Sequence, residues 1–382
     1  MTNLTSSAPT ANEAREAQRY DRDRFIFTSL RFAFGIAMLI AFVYESDNIG
    51  ELARWLAPDT EWLQRPLVYT VIALVGLPTD LGLAYYSGFV LERRHELSTQ
   101  TARQFWTSYM KDVAFNGSIV LASTAILFLS LEDPNLWWLY NAAGMTIMLL
   151  LLIMVAPIYF RKRHEATPLD DPILVGRLQA MAERFGINIS RVMVYRISKE
   201  SKKANAYLAG LGNTKVIFLA DTLIATLTTD EIVAVLAHEL GHSKLLHQLR
   251  LLVVAPLAML ASFYGCHQVL LHLATVMGYS SIVAPEALPL MWLVMTFTNA
   301  LAGPVMFYFV RRYEDEADLF ALEHTKNPDA FIGAFHKLAK MNKTPESLPW
   351  WRELLMCDHP TIKHRIEAVN AWKEKQTLSL SY

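Results

Sequence analysis

The chain has 382 residues, of which 53% are hydrophobic and only 19% are charged, and its formal net charge is −1. A water-soluble protein of this length normally carries more charge, so the composition favours a membrane protein. The near-neutral balance gives no electrostatic reason to expect nucleic acid as a partner. The two cysteines, Cys266 and Cys357, are too few for a disulfide framework.

Six apolar stretches are long enough to cross a bilayer as helices. They cover residues 25–44, 66–91, 113–131, 137–160, 249–275 and 287–310. The alternative, a soluble protein with very apolar core helices, does not account for six such stretches. The predicted fold class is therefore mainly α: a polytopic membrane helix bundle of about six spans with a small cytosolic α+β portion.

The sequence between the fourth and fifth spans is more polar and mixes helical and strand patterns. We expect a helix at 174–185 and strands at 191–195, 205–208 and 215–219, with a Gly210/Gly212 turn before the last strand. The predicted organisation is a polar N-terminal tail (1–24), spans one to four (25–160), a cytosolic insertion (161–247), spans five and six (248–310) and C-terminal cytosolic helices (311–382).

Basic residues accumulate in every second loop. Arginines precede the first span, Arg93 and Arg94 follow the second, 161–163 follows the fourth, and Arg311 and Arg312 follow the sixth. The intervening loops are mostly acidic or lack lysine and arginine. Because cytoplasmic loops are the basic ones, both termini and the insertion are expected in the cytoplasm.

Residues 237–242 carry a His-Glu-x-x-His pattern. A capping-box sequence upstream, Thr228 with Glu231, predicts that this segment is helical. His238 and His242 then project from one face, one turn apart, and can bind a single metal ion. Glu239 lies beside that face, where it can act as general base towards water. The alternative is a pair of solvated histidines near the membrane surface.

A catalytic zinc site needs three protein ligands and one open position. No matching Gly-and-His continuation follows the motif, and His247, five residues on, is expected to face elsewhere. The acidic segment 313–318, just past the sixth span, offers Glu314 as a ligand. Asp318, one turn later, would fix a histidine tautomer. On residue chemistry alone, Glu316 is a competing ligand and a solvated acidic helix end is the alternative.

From about residue 66 onward the chain resembles the type I CAAX prenyl endopeptidase family, which are multispanning zinc metalloproteases. The segments that carry the resemblance are 89–95, 99–111, Ala156-Pro157, 205–210, 233–242, 314–318, His359-Pro360 and Arg365-Ile366. Their order along the chain is more specific than the metal motif alone. The resemblance favours Glu314 over Glu316 as the third ligand and implies one Zn²⁺ per chain.

The resemblance also implies roles in substrate binding. Asn205, Ala206 and Tyr207 match an edge strand that aligns the substrate backbone; the alternative is a buried strand. His359 matches a histidine that could hydrogen-bond the developing oxyanion, and Arg365 would contact substrate or hold His359. A His-Pro helix start and a surface arginine are the structural alternatives.

Two features depart from the resembled family. The family usually has seven spans, and we expect this chain to have no counterpart of the first span and of the long loop that follows it. In addition, Glu96-Leu97-Ser98 stands where a Gly-Phe-Asn triplet is usual.

The sequence thus predicts an integral-membrane zinc endopeptidase that hydrolyses peptide bonds near the cytoplasmic membrane face. Its expected partners are the lipid bilayer and a peptide or protein substrate, prenylated as in CAAX proteases or otherwise membrane-associated. One alternative is a quality-control protease that acts on misfolded membrane proteins. Another is a non-proteolytic scaffold or transporter with a structural zinc, which would need a fourth ligand. The short N-terminal region favours a bacterial chain in the inner membrane; a eukaryotic chain would reside in the endoplasmic reticulum.

Overall fold

The computed structural model describes residues 8–210 and 212–379. The first part of the chain is almost entirely helical. Its helices are α1 (Ala11–Tyr44), α2 (Ser46–Leu56), α3 (Glu61–Tyr85), α4 (Glu92–Arg94), α5 (Ala102–Ser130) and α6 (Trp137–Arg163). A π-helical segment, Tyr86–Leu91, joins α3 to α4 without a break.

A small α+β portion follows α6. Its elements are β1 (Thr167–Pro168), α7 (Pro172–Arg184), β2 (Ile189–Tyr195), β3 (Ala206–Ala209), β4 (Lys215–Ala220), α8 (Asp221–Thr226) and α9 (Thr229–Lys244). The sheet order is β1-β2-β4-β3, with β2 and β4 parallel and the outer strands antiparallel. Strand β3 therefore forms one edge of the sheet. Gly210 and Gly212, which lie between β3 and β4, have positive φ angles of 99° and 54°.

The chain then returns to long helices. These are α10 (His247–Met277) and α11 (Leu288–Thr325), followed by α12 (Pro328–Asn342), α13 (Trp350–Met356) and α14 (Ile362–Ser379). The sheet, α7, α9 and α12 pack with the end of α11 into one hydrophobic core. A second core joins α2, α3, α5, α6, α10 and the start of α11 at the other end of the molecule.

Six helical segments within the described residues are long and apolar enough to cross a membrane. They are α1, α3 with α4, α5, α6, α10 and α11, and they confirm the predicted polytopic bundle. At most 11% of the most apolar window of each helix is buried inside the protein. Such apolar surface is stable only where lipid or neighbouring protein replaces water.

Helix α1 begins earlier than the predicted span at 25–44. A capping box at Thr10 and Glu13 starts the helix, and Ala17 and Tyr20 are buried. The Tyr20 hydroxyl donates to Glu92 at 2.5 Å, and Lys203 forms an ion pair with Glu92 at 2.8 Å. Much of the predicted polar tail is therefore a helical extension that packs near the start of β3.

Candidate metal centre

Helix α9 carries the His-Glu-x-x-His motif. Its N-terminus has the predicted capping box, in which the Glu231 backbone N–H donates to Thr228 Oγ1 and the Thr228 backbone N–H donates to Glu231. Leu236 and Leu240 are fully buried on its inner face, and each stabilises the helix position by roughly 2 kcal/mol. The histidines therefore project from a helix that is fixed at its start and along its length.

The structure brings His238, His242 and Glu314 together, with one potential ligand atom of each residue within 4.8 Å of the others. The two Nε2 atoms are 3.1 Å apart. Glu314 Oε2 lies 3.3 Å from His238 Nε2, and Oε1 lies 3.1 Å from His242 Nε2. Helix α9 and the C-terminal part of α11 thus converge, although His242 and Glu314 are separated by more than seventy positions in the sequence.

The chemistry of this group fits a metal ion. His238 and Glu314 are only 8% and 5% exposed, and Glu314 Oε2 is a buried oxygen without a hydrogen-bond partner in the described structure. Two imidazole nitrogens and one carboxylate oxygen form a ligand set that zinc uses at catalytic sites. No fourth His, Cys, Asp or Glu of the described residues joins the group, which does not favour a closed structural site.

Asp318 lies beside His238. Its Oδ1 lies 2.7 Å from His238 Nδ1, so the ring can donate to the carboxylate and direct Nε2 towards the cluster. Arg365 donates to both oxygens of Asp318 at 2.7 and 2.5 Å and lies over the Phe335 ring. The expectation that Arg365 holds His359 is therefore corrected: its partner is Asp318, because α14 packs beside α11.

His247 does not join the cluster, but it contacts the motif through the Nδ1 side of His242. Its Nδ1 lies 2.9 Å from His242 Nδ1, its Nε2 lies 3.2 Å from Glu316, and its ring stacks on Tyr313. The reason is a break between α9 and α10, where Leu246 adopts a left-handed conformation with φ 58°. The break turns His247 back, and Glu316 supports this ring instead of joining the cluster.

His359 approaches the cluster from the loop between α13 and α14. Its Nε2 lies 3.6 Å from Glu314 Oε1, and its Nδ1 lies 2.8 Å from Asp358. The hydrogen bond to Asp358 raises the pKa of His359 above its usual value. The guanidinium of Arg311 donates to the carbonyls of Glu353, Leu354 and Cys357 and so fixes the start of this loop. The sequence indicates Arg311 only as a basic residue after the sixth span.

A cavity of about 620 Å³ opens beside the cluster. Glu239 lies in its wall, and withdrawal from solvent raises the pKa of this carboxyl, although the neighbouring imidazoles and the Leu208 backbone oppose the rise. The predicted residues that line the cavity are Asn205, Ala206, His238, Glu239, Glu314, His359 and Arg365.

The edge strand β3 borders the same cavity through Asn205 and Ala206. Asn342 of α12 accepts from the Ala204 backbone N–H at 2.9 Å and donates to its carbonyl at 3.0 Å, which fixes the start of the strand. Tyr207 does not line the cavity; its ring stacks on Phe218 in the sheet core. Only the Tyr207 backbone can therefore take part in aligning a substrate.

Comparisons with known proteins agree with this arrangement. Residues 168–373 match the sequence model of peptidase family M48, and residues 5–161 match that of the CAAX prenyl protease N-terminal region with five membrane helices. CAAX prenyl protease 1 of Saccharomyces cerevisiae is 28% identical over 325 residues, which covers 78% of this chain and 70% of that protein. The uncharacterized metalloprotease YhfN of Bacillus subtilis is 27% identical over 309 residues, with the same coverage of 78% and 70%.

The fold also matches a solved structure. The crystal structure of S. mikatae Ste24p aligns with a TM-score of 0.79 at 22% identity, covering 96% of this chain and 92% of that one. A polytopic helix bundle with a His-Glu-x-x-His helix and a distant glutamate defines a membrane-embedded metalloprotease. The chain belongs to peptidase family M48. It is therefore a multi-pass membrane protease that acts on peptide or protein substrates with a metal cofactor.

Proposed function

We propose that this protein is a zinc endopeptidase that cleaves membrane-associated protein substrates at the cytoplasmic face of its membrane. One observation carries the proposal: two imidazoles and a carboxylate converge beside a cavity that also contains Glu239 and the sheet edge. His238, His242 and Glu314 would hold the metal. When bound, zinc acidifies water and polarises a carbonyl group.

The remaining steps are assigned to the residues of the chain. Glu239 accepts a proton from the attacking water as the new C–O bond forms, and it delivers that proton to the leaving amine as the C–N bond breaks. Burial raises the pKa of Glu239 above its usual value, so this carboxylate binds the proton of the water more readily than an exposed one. His359 donates a hydrogen bond to the developing oxyanion. The hydrolysis needs no acyl-enzyme.

Substrate alignment is assigned to β3. An extended peptide added along this edge would place its backbone beside Asn205 and Ala206, with the scissile bond near Glu239. Asp318 and Arg365 act as positioning residues, because both contact His238; Arg365 also lines the cavity. The apolar side of the cavity, which includes Phe25, Phe331 and Leu348, would accept hydrophobic residues or a lipid group.

The substrate is proposed to be a prenylated or otherwise membrane-associated protein. The similarity to yeast CAAX prenyl protease 1 supports a prenylated C-terminus. A relative of nearly equal identity from Bacillus subtilis is named only as a metalloprotease, which favours a second candidate, cleavage of misfolded membrane proteins in a bacterial inner membrane. The basic loops that flank alternate spans support a cytoplasmic active site.

A cleavage assay separates the two substrate classes. The purified chain in detergent is incubated with a farnesylated CAAX peptide, the same peptide without its lipid, and an unfolded membrane protein. Release of the C-terminal tripeptide only from the farnesylated peptide supports the prenyl protease proposal. Cleavage of the unfolded protein without preference for the farnesyl group supports quality control, and no chelator-sensitive cleavage of any substrate contradicts both.

A further inference from the structure

A second cavity, of about 510 Å³, lies where α5 and α6 meet the α+β portion. It is bounded by the N-terminal end of α5, the C-terminal end of α6 and the segment after β2. We call it the basic cleft, because five cations line it: Arg103, Lys111, Arg163, Arg196 and Lys199. It is separate from the cavity at the metal centre, with which it shares no lining residue.

One of these cations, Arg163, stabilises the fold. Arg163 donates to both oxygens of Asp112, at 2.7 and 3.0 Å, and to Glu200 at 2.7 Å. Ser108 also donates to Glu200, at 2.9 Å. The side chain of Arg163 is only 7% exposed. This network ties α5 and α6 to the segment after β2 and gives the floor of the cleft a fixed shape.

The remaining charges of the cleft are unbalanced. Lys199 is paired with Glu165 at 2.7 Å, and Glu200 is engaged by Arg163. Arg103, Lys111 and Arg196 are exposed and form no ion pair with any described residue. Three unpaired cations from separate elements therefore face one concave site. The Glu165 carboxylate interacts with Arg196 and Lys111, but five cations and only two carboxylates line the cleft. This excess of positive charge attracts an anion.

The side chains around the cleft are of the types found at a membrane interface. Aromatic side chains, which concentrate at the headgroup level of bilayers, surround the adjoining ends of the two helices: Trp106, Tyr109, Phe115 and Tyr159. Further along the same helices, exposed apolar side chains include Val120 and Leu121 on α5 and Leu151 and Met154 on α6. A ligand with a charged headgroup and hydrocarbon chains would match a basic cleft that continues into apolar helix surfaces.

We propose that the basic cleft binds the phosphate group of an anionic phospholipid. Phosphate oxygens accept hydrogen bonds from arginine and lysine, and basic pockets beside membrane spans are suited to lipid headgroups. The acyl chains would lie along the apolar faces of α5 and α6. Arg103 and Lys111 belong to a span and Arg196 to the α+β portion, so the lipid would bridge the two parts.

The proposal is tested on the full chain purified in a zwitterionic detergent. Phosphatidylglycerol, phosphatidylcholine or inorganic phosphate is added, and bound lipid is measured by native mass spectrometry. We compare the wild type with a cleft variant that combines Arg103→Gln, Lys111→Gln and Arg196→Gln. The matched control combines Arg94→Gln, Arg161→Gln and Lys162→Gln, which removes equal charge from exposed residues outside the cleft. Peptidase activity and thermal unfolding verify that each variant folds.

The wild type and the control are expected to bind one phosphatidylglycerol in preference to phosphatidylcholine. The cleft variant should bind it at least about tenfold more weakly, as expected when charge-assisted contacts are lost. Phosphatidylglycerol should also raise the melting temperature of the wild type but not of the cleft variant. Equal losses in both triple variants would indicate diffuse attraction and overturn the proposal. The proposal would also be overturned if the folded Arg196→Gln variant and the folded cleft variant both bound the lipid as the wild type does. Displacement of the lipid by millimolar inorganic phosphate would overturn it as well.

Discussion

Gly241 of α9 and Ala317 of α11 lie in direct contact. A β-carbon built on Gly241 would lie 3.2 Å from Ala317 Cα and 3.3 Å from its carbonyl oxygen. Ala317 is fully buried, so a larger side chain on either residue would separate the helices. Glu314 lies one turn before Ala317 and reaches His238 and His242 because of this contact. The small residues of the two motifs thus set the distance between the proposed metal ligands.

Substitution of Gly241 tests that relationship. Gly241→Ala is expected to destabilise the protein by about 1–3 kcal/mol, because the backbone of α11 must move. We also expect a loss of activity of about a hundredfold, since the ligands and Glu239 would be misplaced. Thermal unfolding and peptide turnover measure the two effects. Gly265→Ala on α10, where an added β-carbon meets nothing within 4 Å, is the control. Equal behaviour of the two variants would contradict the proposed role of the contact.

His247 is predicted to orient His242 through their Nδ1 contact. His247→Gln should weaken zinc affinity by about 10–100-fold, as found when groups that orient a metal ligand are removed. Turnover with saturating zinc should change much less, because His247 does not line the substrate cavity. Competition with a chelator measures the affinity. His272→Gln, an exposed histidine on α10, should leave it unchanged. A variant at position 247 with wild-type affinity would exclude the positioning role.

Arg365 is predicted to neutralise Asp318 beside the metal centre. Arg365→Gln leaves the Asp318 carboxylate buried without its ion-pair partner, which should cost about 3 kcal/mol of stability. The double variant Arg365→Gln/Asp318→Asn removes the unpaired charge and should recover part of that loss. Chemical unfolding of the single and double variants measures the coupling. If the effects of Arg365→Gln and Asp318→Asn on the free energy of unfolding simply add in the double variant, the guanidinium does not interact specifically with the Asp318 carboxylate.

Local sequence patterns were sufficient wherever a contact depends on spacing within one helix. The pair His238 and His242, and the pair Glu314 and Asp318, are each one turn apart, and the capping box at Thr228 marks where α9 begins. The convergence of the two helices was inferred from the resemblance and from their position at the ends of spans. The structure brings His238, His242 and Glu314 together.

The contacts that sequence reasoning missed depend on chain reversals or on distant partners. The contact of His247 with His242 depends on the left-handed conformation of Leu246, which interrupts the helical period. Asn342 and Arg311 act through hydrogen bonds to backbone groups far along the chain, which no periodicity records. The departure at Glu96 is accommodated by a φ of 56°, a conformation that glycine adopts more readily.

The most direct test of the proposed catalytic site is a measurement of peptide turnover and zinc content on Glu239→Gln. Glutamine keeps the size of the side chain but cannot accept the proton of the attacking water. We predict about one zinc per chain, as in the wild type, with turnover reduced at least about a thousandfold, at the upper part of the range for loss of a general base. A variant that keeps its zinc and cleaves peptide at the wild-type rate would contradict the assignment of Glu239 as the base.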